Sequence, residues 1–252
     1  MIVGRPPRAA PTKDEESRLK LALIGCGAMG QLVASLGRKG GDEIGLVFSS
    51  SNANQSVEDF SQHLKSHDAA IDFSIATAVL RNVEACARAG VPLVEGTTGW
   101  KQDQERVAAL VRDYDAALVY GANFSVGMNI FYRIAQTASA YFAKIDQYAP
   151  FIEEAHHSRK RDAPSGTALR LGEFMKERYE RDIPISSTRA GYIPGTHRVG
   201  FDSEADQVLL THTARSRQGF ASGALLAAHW IIGRKGMFEF GEVVDEIVSD
   251  GS

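Results

Sequence analysis

Apolar residues fall along this chain in two successive rhythms. The run LKLALIG, Leu19 to Gly25, is continuous enough for a strand buried on both faces. A Gly-rich turn and a helical segment from Met29 to Arg38 follow at once. A second apolar run, Ile44 to Phe48, then a polar stretch rich in Ser and Asn, completes a β-α-β unit. Three more short runs predict strands at Ala69 to Phe73, Pro92 to Glu95 and Ala117 to Tyr120. Between them, Ala78 to Ala89 carries Val79, Val83 and Ala87 on one helical face, and Gln102 to Asp113 carries Val107, Leu110 and Val111. Strands and helices alternating at this spacing predict a Rossmann-like, doubly wound parallel sheet covered on both faces, an α/β arrangement.

The rhythm changes after Asn123. A long helix, Met128 to Phe142, leads to a strand near Phe151 to Ala155 and a very polar segment, HHSRKRDAPSG. A helix from Thr167 to about Tyr179 follows, with Ser165 placed to cap it. Thr196 to Phe201 and Gln207 to Ala214 then alternate with period two, through Val208, Leu210, His212 and Ala214, as a half-exposed strand does. An apolar helix from about Ala221 to Ile232 and a short tail around Phe238 to Val244 close the chain. The expected second domain is therefore α+β, with an open mixed or antiparallel sheet. The expected boundaries are a flexible tail over 1–18, a dinucleotide-binding domain over 19–124 completed by 217–252, and a substrate-binding and oligomerisation domain over 125–216.

Composition narrows the class without naming it. At 252 residues, 44% apolar and 23% charged, the chain has the make-up of an ordinary globular protein. Its 28 Lys and Arg against 31 Asp and Glu give a net charge of −3, which points to neither nucleic acid nor an anionic membrane as partner. No apolar run approaches about 18 residues, so no membrane span is expected. The N-terminal segment lacks the apolar core of a secretory signal. Cys26 and Cys86 make neither a disulfide framework nor a familiar zinc spacing, which fits a cytoplasmic location. The one skew is glycine, 24 residues, above the usual share of about 7%.

Part of that glycine sits where chemistry needs it. Gly25-Cys26-Gly27-Ala28-Met29-Gly30 is a GxGxxG that follows a strand and opens a helix. The first glycine allows the tight turn, the second lets a pyrophosphate approach the backbone, and the third permits close helix–strand packing. The free N–H groups of the helix start then face the phosphates. The acidic residue expected about 20 positions on, which would grip a ribose hydroxyl, is missing. Ser49, Ser50, Ser51 and Asn52 stand there, with no arginine in its place, so the cofactor is expected to be NADPH or NADH. Gly96-Thr97-Thr98-Gly99 and Gly121-Ala122-Asn123-Phe124-Ser125 follow the fourth and fifth strands, at the edge where open α/β sheets bind ligands.

The densest segment runs from Glu153 to Thr167. Five potential cations fall between His156 and Arg161 in a chain of negative net charge, which suits a small anionic substrate better than a polynucleotide. The Ser165-Gly166-Thr167 helix start offers N–H groups to a carboxylate. A histidine and a lysine side by side can move protons. A metal is not expected, although two acids adjoin two histidines, because adjacent residues of an extended chain point to opposite faces.

Taken together, these segments resemble the dihydrodipicolinate reductase (4-hydroxy-tetrahydrodipicolinate reductase) family of bacterial and plant lysine biosynthesis. The most specific match is EAHHSRKRDAPSGTAL, Glu154 to Leu169, which holds every fixed position of the family's E-x-H-H-x-x-K-x-D-A-P-S-G-T-A pattern. GTTGW, GANFSVGMN and ARSRQGFASGA around Arg217 follow in the family's order, and the likeness extends from Leu19 to about Val244. Two departures stand out: Ala76 replaces a usual proline, and the acid after the second strand is absent.

The resemblance implies an oxidoreductase that reduces a cyclic imine dicarboxylate with loss of water. His156 would donate or accept a proton, and Lys160 would protonate the substrate. His157 would touch the substrate, and Gly166 with Thr167 would hold a carboxylate. Gly25 to Gly30, Gly96 to Thr98, Gly121 to Phe124 and Arg217 would line the cofactor. The family's homotetramer, joined through the sheet of the second domain, and closure of that domain on the first are expected with it. Other readings of the same residues are a different NAD(P)-dependent imine or amino-acid dehydrogenase, or a non-catalytic dinucleotide-binding regulator.

Overall fold

A computed structural model describes residues 18–49 and 55–250. Most of the expected N-terminal tail (1–17), together with Ser50, Ser51 and Asn52, lies outside the described residues. The chain divides into two compact units. The first holds the described residues up to Tyr120 together with Ala224–Phe238, and the second holds Gly121–Gly223 and the chain from Glu239 onward. The return to the first unit is therefore shorter than the expected 217–252, because the last helix packs with the second unit instead.

The first unit is built on β1 (Lys20–Ile24), β2 (Glu43–Phe48), β3 (Ala69–Asp72), β4 (Leu93–Glu95), β5 (Ala117–Tyr120) and β10 (Gly236–Glu239). Their order is β10-β5-β4-β3-β1-β2, and β2·β1, β1·β3, β3·β4 and β4·β5 are all parallel. β3 is buried at every position and β1 at all but its first, which explains why both read as apolar runs broken only by Asp72 and Lys20 at their ends. The helices are α1 (Ala28–Gly40), α2 (Val57–Leu64), α3 (Val79–Ala89), α4 (Gln104–Asp113) and α7 (Gln218–Trp230), the last of which begins in the second unit. Phe60 and Leu64 of α2, Val79 and Val83 of α3 and Val107 and Val111 of α4 share one core with Ile24, Ala70 and Leu93 of the strands. Each fully buried side chain of that size contributes about 1.5–3 kcal/mol. α1 ends where Gly41 takes a left-handed conformation, φ +101°, and α7 is tied to that corner by His229 Nε2 to Asp42 Oδ2, 3.1 Å.

The second unit pairs α5 (Val126–Phe142), α6 (Gly166–Tyr179) and α8 (Phe240–Asp250) with a four-stranded sheet. That sheet contains β6 (Ala149–His156), β7 (Ile185–Arg189), β8 (Thr196–Asp202) and β9 (Gln207–Thr213) in the order β7-β6-β8-β9. It is mixed, because β7 runs parallel to β6 while β8 and β9 are antiparallel neighbours. Met128, Phe131 and Tyr132 of α5 and Leu171 and Met175 of α6 pack over Ile152, Val199 and Phe201 of the sheet. β6 alternates buried and solvent-facing positions along its whole length, and this pleat aims Glu154 and His156 to one side. Four elements go beyond the predicted set: α2, β7, β10 and α8.

Candidate active site

In the first unit the GxGxxG turn has the geometry its three glycines predict. Gly25 sits at φ +99°, and a Cβ there would lie 2.5 Å from the Phe73 carbonyl oxygen. A Cβ on Gly30 would lie 2.0 Å from the Gly25 carbonyl oxygen, so any other residue would push α1 off β1. A Cβ on Gly27 would meet nothing within 4 Å. Gly27 is also the N-cap of α1, with no side chain capping the helix and no acid in its first turn. A helix start with no acid in its first turn and room above Gly27 fits a pyrophosphate. Cys26 and Ala28 are exposed beside it, Met29 is half-buried, and the Cys26 carbonyl accepts from Gln31 Nε2 at 3.0 Å. These residues fit a nicotinamide dinucleotide.

The turn after β4 is held from below. A Cβ on Gly96 would run into the Phe73 ring at 2.2 Å. Thr97 is buried: its N–H donates to Glu95 Oε1 at 2.7 Å, and its Oγ1 accepts from the Ser74 N–H at 3.0 Å. Trp100 Nε1 donates to the Thr97 carbonyl at 2.8 Å, while Thr98 is exposed.

The remaining predicted positions belong to the second unit. Gly121 and the buried Phe124 pack on Phe240, whose ring is 4.7 Å from that of Phe124. Asn123 Oδ1 accepts from the N–H of Ser125 at 2.9 Å, and Ser125 caps α5 by accepting from the Met128 N–H at 3.2 Å, with Ala122 exposed beside them. Arg217 is exposed at the start of α7, its carbonyl accepting from the Phe220 N–H at 3.1 Å.

The cationic island is anchored on a carboxylate that sequence reasoning passed over. The Glu154 side chain is fully buried, and Arg189 of β7 grips it in a two-pronged ion pair, Nη1 to Oε2 at 2.9 Å and Nη2 to Oε1 at 2.6 Å. His156 Nδ1 makes a short hydrogen bond to Glu154 Oε2. Burial works against the charge of Glu154, but bonds from Arg189, Ser187 and His156 outweigh it and hold the carboxyl down at about 2. Burial also lowers the pKa of His156, more than Glu154 raises it. The ring is therefore a neutral imidazole whose proton sits on Nδ1, facing the carboxylate, and whose Nε2 is left as a base. Gly195 closes over that nitrogen: at φ +131°, a Cβ there would lie 3.2 Å from Nε2.

A second histidine backs the first. His197 of β8 is the register partner of Glu154, its ring is 5.1 Å from that of His156, and burial pushes it down to about 4. Its Nε2 meets Ser165 Oγ at 3.1 Å, and the same hydroxyl caps α6 by accepting from the Ala168 N–H at 3.2 Å. The N–H groups of Gly166 and Thr167 precede the first bonded turn, and a Cβ on Gly166 would meet nothing within 4 Å. Lys160 carries its ammonium on Asp162, 2.8 Å to Oδ1, and this bond holds the Asp162 carboxyl below its ordinary range. His157 is half-buried, with its Nδ1 enclosed and unpartnered.

Ligand atoms of Glu154, His156 and His197 lie within 4.8 Å of one another, the spacing of a metal cluster. However, both Glu154 oxygens already accept from Arg189, and a guanidinium at that distance repels a divalent cation. The group acts as a hydrogen-bonded network. Arg189 lies 35 residues from Glu154 in sequence, and no local pattern reveals it. The period-two spacing of Glu154 and His156 on one strand was the available signal for the dyad.

Comparison with known proteins identifies a family over both units. Residues 19–124 match the family model described as dihydrodipicolinate reductase, N-terminus, and residues 127–244 match the one described as dihydrodipicolinate reductase, C-terminus. A 4-hydroxy-tetrahydrodipicolinate reductase of Christiangramia forsetii is 34% identical over 241 residues, covering 91% of this chain and 99% of the relative. One from Pseudomonas fluorescens is 36% identical over 244 residues, covering 88% and 84%. In fold, the chain is similar to dipicolinate-bound dihydrodipicolinate reductase from Paenisporosarcina sp. TG-14, with a TM-score of 0.73 at 22% identity over 88% of this chain and 97% of the other. No helix among the described residues is long and apolar enough to cross a membrane.

Proposed function

The chain belongs to the dihydrodipicolinate reductase family, and from that premise we propose which of its residues carry the family's reaction. It is an oxidoreductase of lysine and diaminopimelate biosynthesis, reducing 4-hydroxy-tetrahydrodipicolinate to tetrahydrodipicolinate with loss of water. A reduced nicotinamide dinucleotide supplies the hydride when bound. Gly25, Cys26, Gly27, Ala28, Met29 and Gly30 hold its pyrophosphate, and Gly96, Thr97, Thr98, Gly121, Ala122, Asn123, Phe124 and Arg217 line the rest. Without an acid after β2 to repel a 2′-phosphate, and without an arginine to select one, the enzyme accepts both NADPH and NADH.

The observation that carries the substrate assignment is the Glu154–His156 dyad beside the open N-terminus of α6. Gly166 and Thr167 hold one carboxylate of the substrate through their N–H groups, and His157 contacts the ring. The hydroxyl leaves as water together with a ring hydrogen, and the conjugated system left behind takes the hydride at carbon and one balancing proton. Lys160, ion-paired with Asp162, supplies that proton. His156, neutral with its proton fixed on Nδ1, presents Nε2 as the acceptor that orients the reacting group and takes up a proton between turnovers. We further propose a cytoplasmic enzyme that assembles as a homotetramer through the sheet of the second unit.

The test is a coupled assay fed with the condensation product of pyruvate and aspartate semialdehyde, following the absorbance of NADPH and NADH. Both are expected to be oxidised. Lys160→Ala is expected to lower turnover by about 10²–10⁴ while nucleotide binding is kept. Oxidation of neither cofactor overturns the substrate, and full turnover by the variant overturns Lys160 as donor.

A further inference from the structure

Two fully buried acids take no part in the chemistry above. Asp72 ends β3 and Glu95 ends β4, and the two are register partners on adjacent parallel strands, both 0% exposed. Strands so paired lie about 4.8 Å apart, so two bare carboxylates there would repel strongly in a dry interior. Neither has an ion-pair partner among the described residues, and the guanidinium of Arg81 donates instead to Asn82 Oδ1 at 2.9 Å.

The hydrogen bonds divide the two unequally. Asp72 accepts from the Ser74 N–H at 2.7 Å, from Asn82 Nδ2 at 2.6 Å and from Thr97 Oγ1 at 3.4 Å, the environment of an ionised carboxylate. Glu95 accepts at Oε1 from the Thr97 N–H at 2.7 Å, and its Oε2 is enclosed without a partner of normal geometry. Around them stand Cys86 of α3, whose thiol burial pushes well up, and Tyr120 of β5, the register partner of Glu95 on its other side. Burial, and then the charge of Asp72, drives the Glu95 carboxyl well above its ordinary range, while burial raises Asp72 less far against its donors. With no cation present, burial of the pair requires a proton, and Glu95 is the one left short of donors.

We propose that Glu95 is a positioning residue that works in its protonated form: its neutral carboxyl beside ionised Asp72 holds Thr97, and with it the Gly96–Gly99 turn, in the shape that receives the nicotinamide dinucleotide. This rests on the reading of Gly96, Thr97 and Thr98 as cofactor contacts. Asp72 ties the same turn to the Phe73–Ser74 loop through Ser74 and Thr97, so one proton keeps two neighbouring loops of the cofactor edge together. An ionised Glu95 would put two negative charges under the turn that Thr97 closes.

The test compares wild type with Glu95→Gln and Glu95→Ala. Infrared difference spectra of wild type minus Glu95→Gln at neutral pH are expected to show the carbonyl stretch of a protonated carboxylic acid. NADH and NADPH binding, followed by cofactor fluorescence, is expected to weaken about tenfold or more in Glu95→Ala, the loss of a hydrogen bond to a buried group. Glu95→Gln, uncharged and still able to accept from the Thr97 N–H, is expected to bind within about threefold of wild type. Absence of the acid band, or wild-type affinity in Glu95→Ala, overturns the proposal. Failure of wild type to bind either nucleotide would instead overturn the reading of the site, and the infrared band would still decide where the proton sits.

Discussion

Replacing Arg189 with Met tests the electrostatic core of the substrate half-site. Arg189 is 16% exposed and makes both of its charged hydrogen bonds to a carboxylate that is wholly buried. Glu154 ionises at about 2 in the folded chain against an ordinary 4.5. That displacement ties roughly 3 kcal/mol of stability to the charged form. Met keeps most of the stem volume but leaves the carboxylate without its cation, and breaking a buried pair from one side costs about 3–5 kcal/mol. The sign of the pH dependence follows. In wild type the contribution is complete above 4.5, the unfolded value, and is lost as pH falls toward 2. In the variant, burial drives the Glu154 carboxyl up, so acidification neutralises an unpaired charge and the deficit shrinks. Urea unfolding of both proteins across that range reads the difference directly. The variant should lose about 3–5 kcal/mol near neutral pH, and its curve should converge on that of wild type in acid. Two parallel curves, or a loss under about 1 kcal/mol, would refute the reasoning.

Other consequences can be measured separately. His197 is held neutral down to about 4 against an ordinary 6.5, so between those values the unfolded chain binds a proton that the folded one refuses. Stability should therefore fall on acidification through that window by up to about 3 kcal/mol, and His197→Gln should remove this component, as denaturant titrations on either side of the window would show. At the dinucleotide turn, Gly27→Ala places a methyl in open space at φ −66°, so unfolding should be unchanged while nucleotide affinity drops about tenfold or more. Gly30→Ala should fail in both, since its methyl would lie 2.0 Å from a carbonyl oxygen. Equal nucleotide affinity in Gly27→Ala and wild type would remove the pyrophosphate from that site.

What the chain discloses before folding depends on how local each cause is. Buried strands such as β1 and β3 are apolar except at one end, Lys20 and Asp72, because both faces are covered, and they read as strands from the sequence alone. α2 was legible and passed over: Ser56 caps the Asp59 N–H, and Phe60 and Leu64 follow on one face. β7, reading Ile-Ser-Ser-Thr-Arg, is an exposed edge strand whose polar residues look like a loop. At the ends of β3 and β4, Asp72 and Glu95 read as ordinary strand termini, since their burial is decided by neighbours far along the chain.

The site divides in the same way. Motif spacing marked His156, Lys160 and the α6 start, but the state of His156 is set by Glu154, and that of Glu154 by Arg189 on the strand that was missed. Register is the deciding variable. β7 pairs with β6 so that Glu154 lies opposite Ser187 and His156 opposite Arg189. A slip of one residue would turn every β7 side chain to the other face and carry the guanidinium away from the carboxylate. Glu154 would then be a buried charge with only an imidazole to offset it, and the neutral His156 tautomer would lose the fixed anion that defines it. The motif therefore specifies this chemistry only when the register of a strand outside the motif is specified with it, and that register is held by the packing of Ile152 and Ile185 in the core shared with α6.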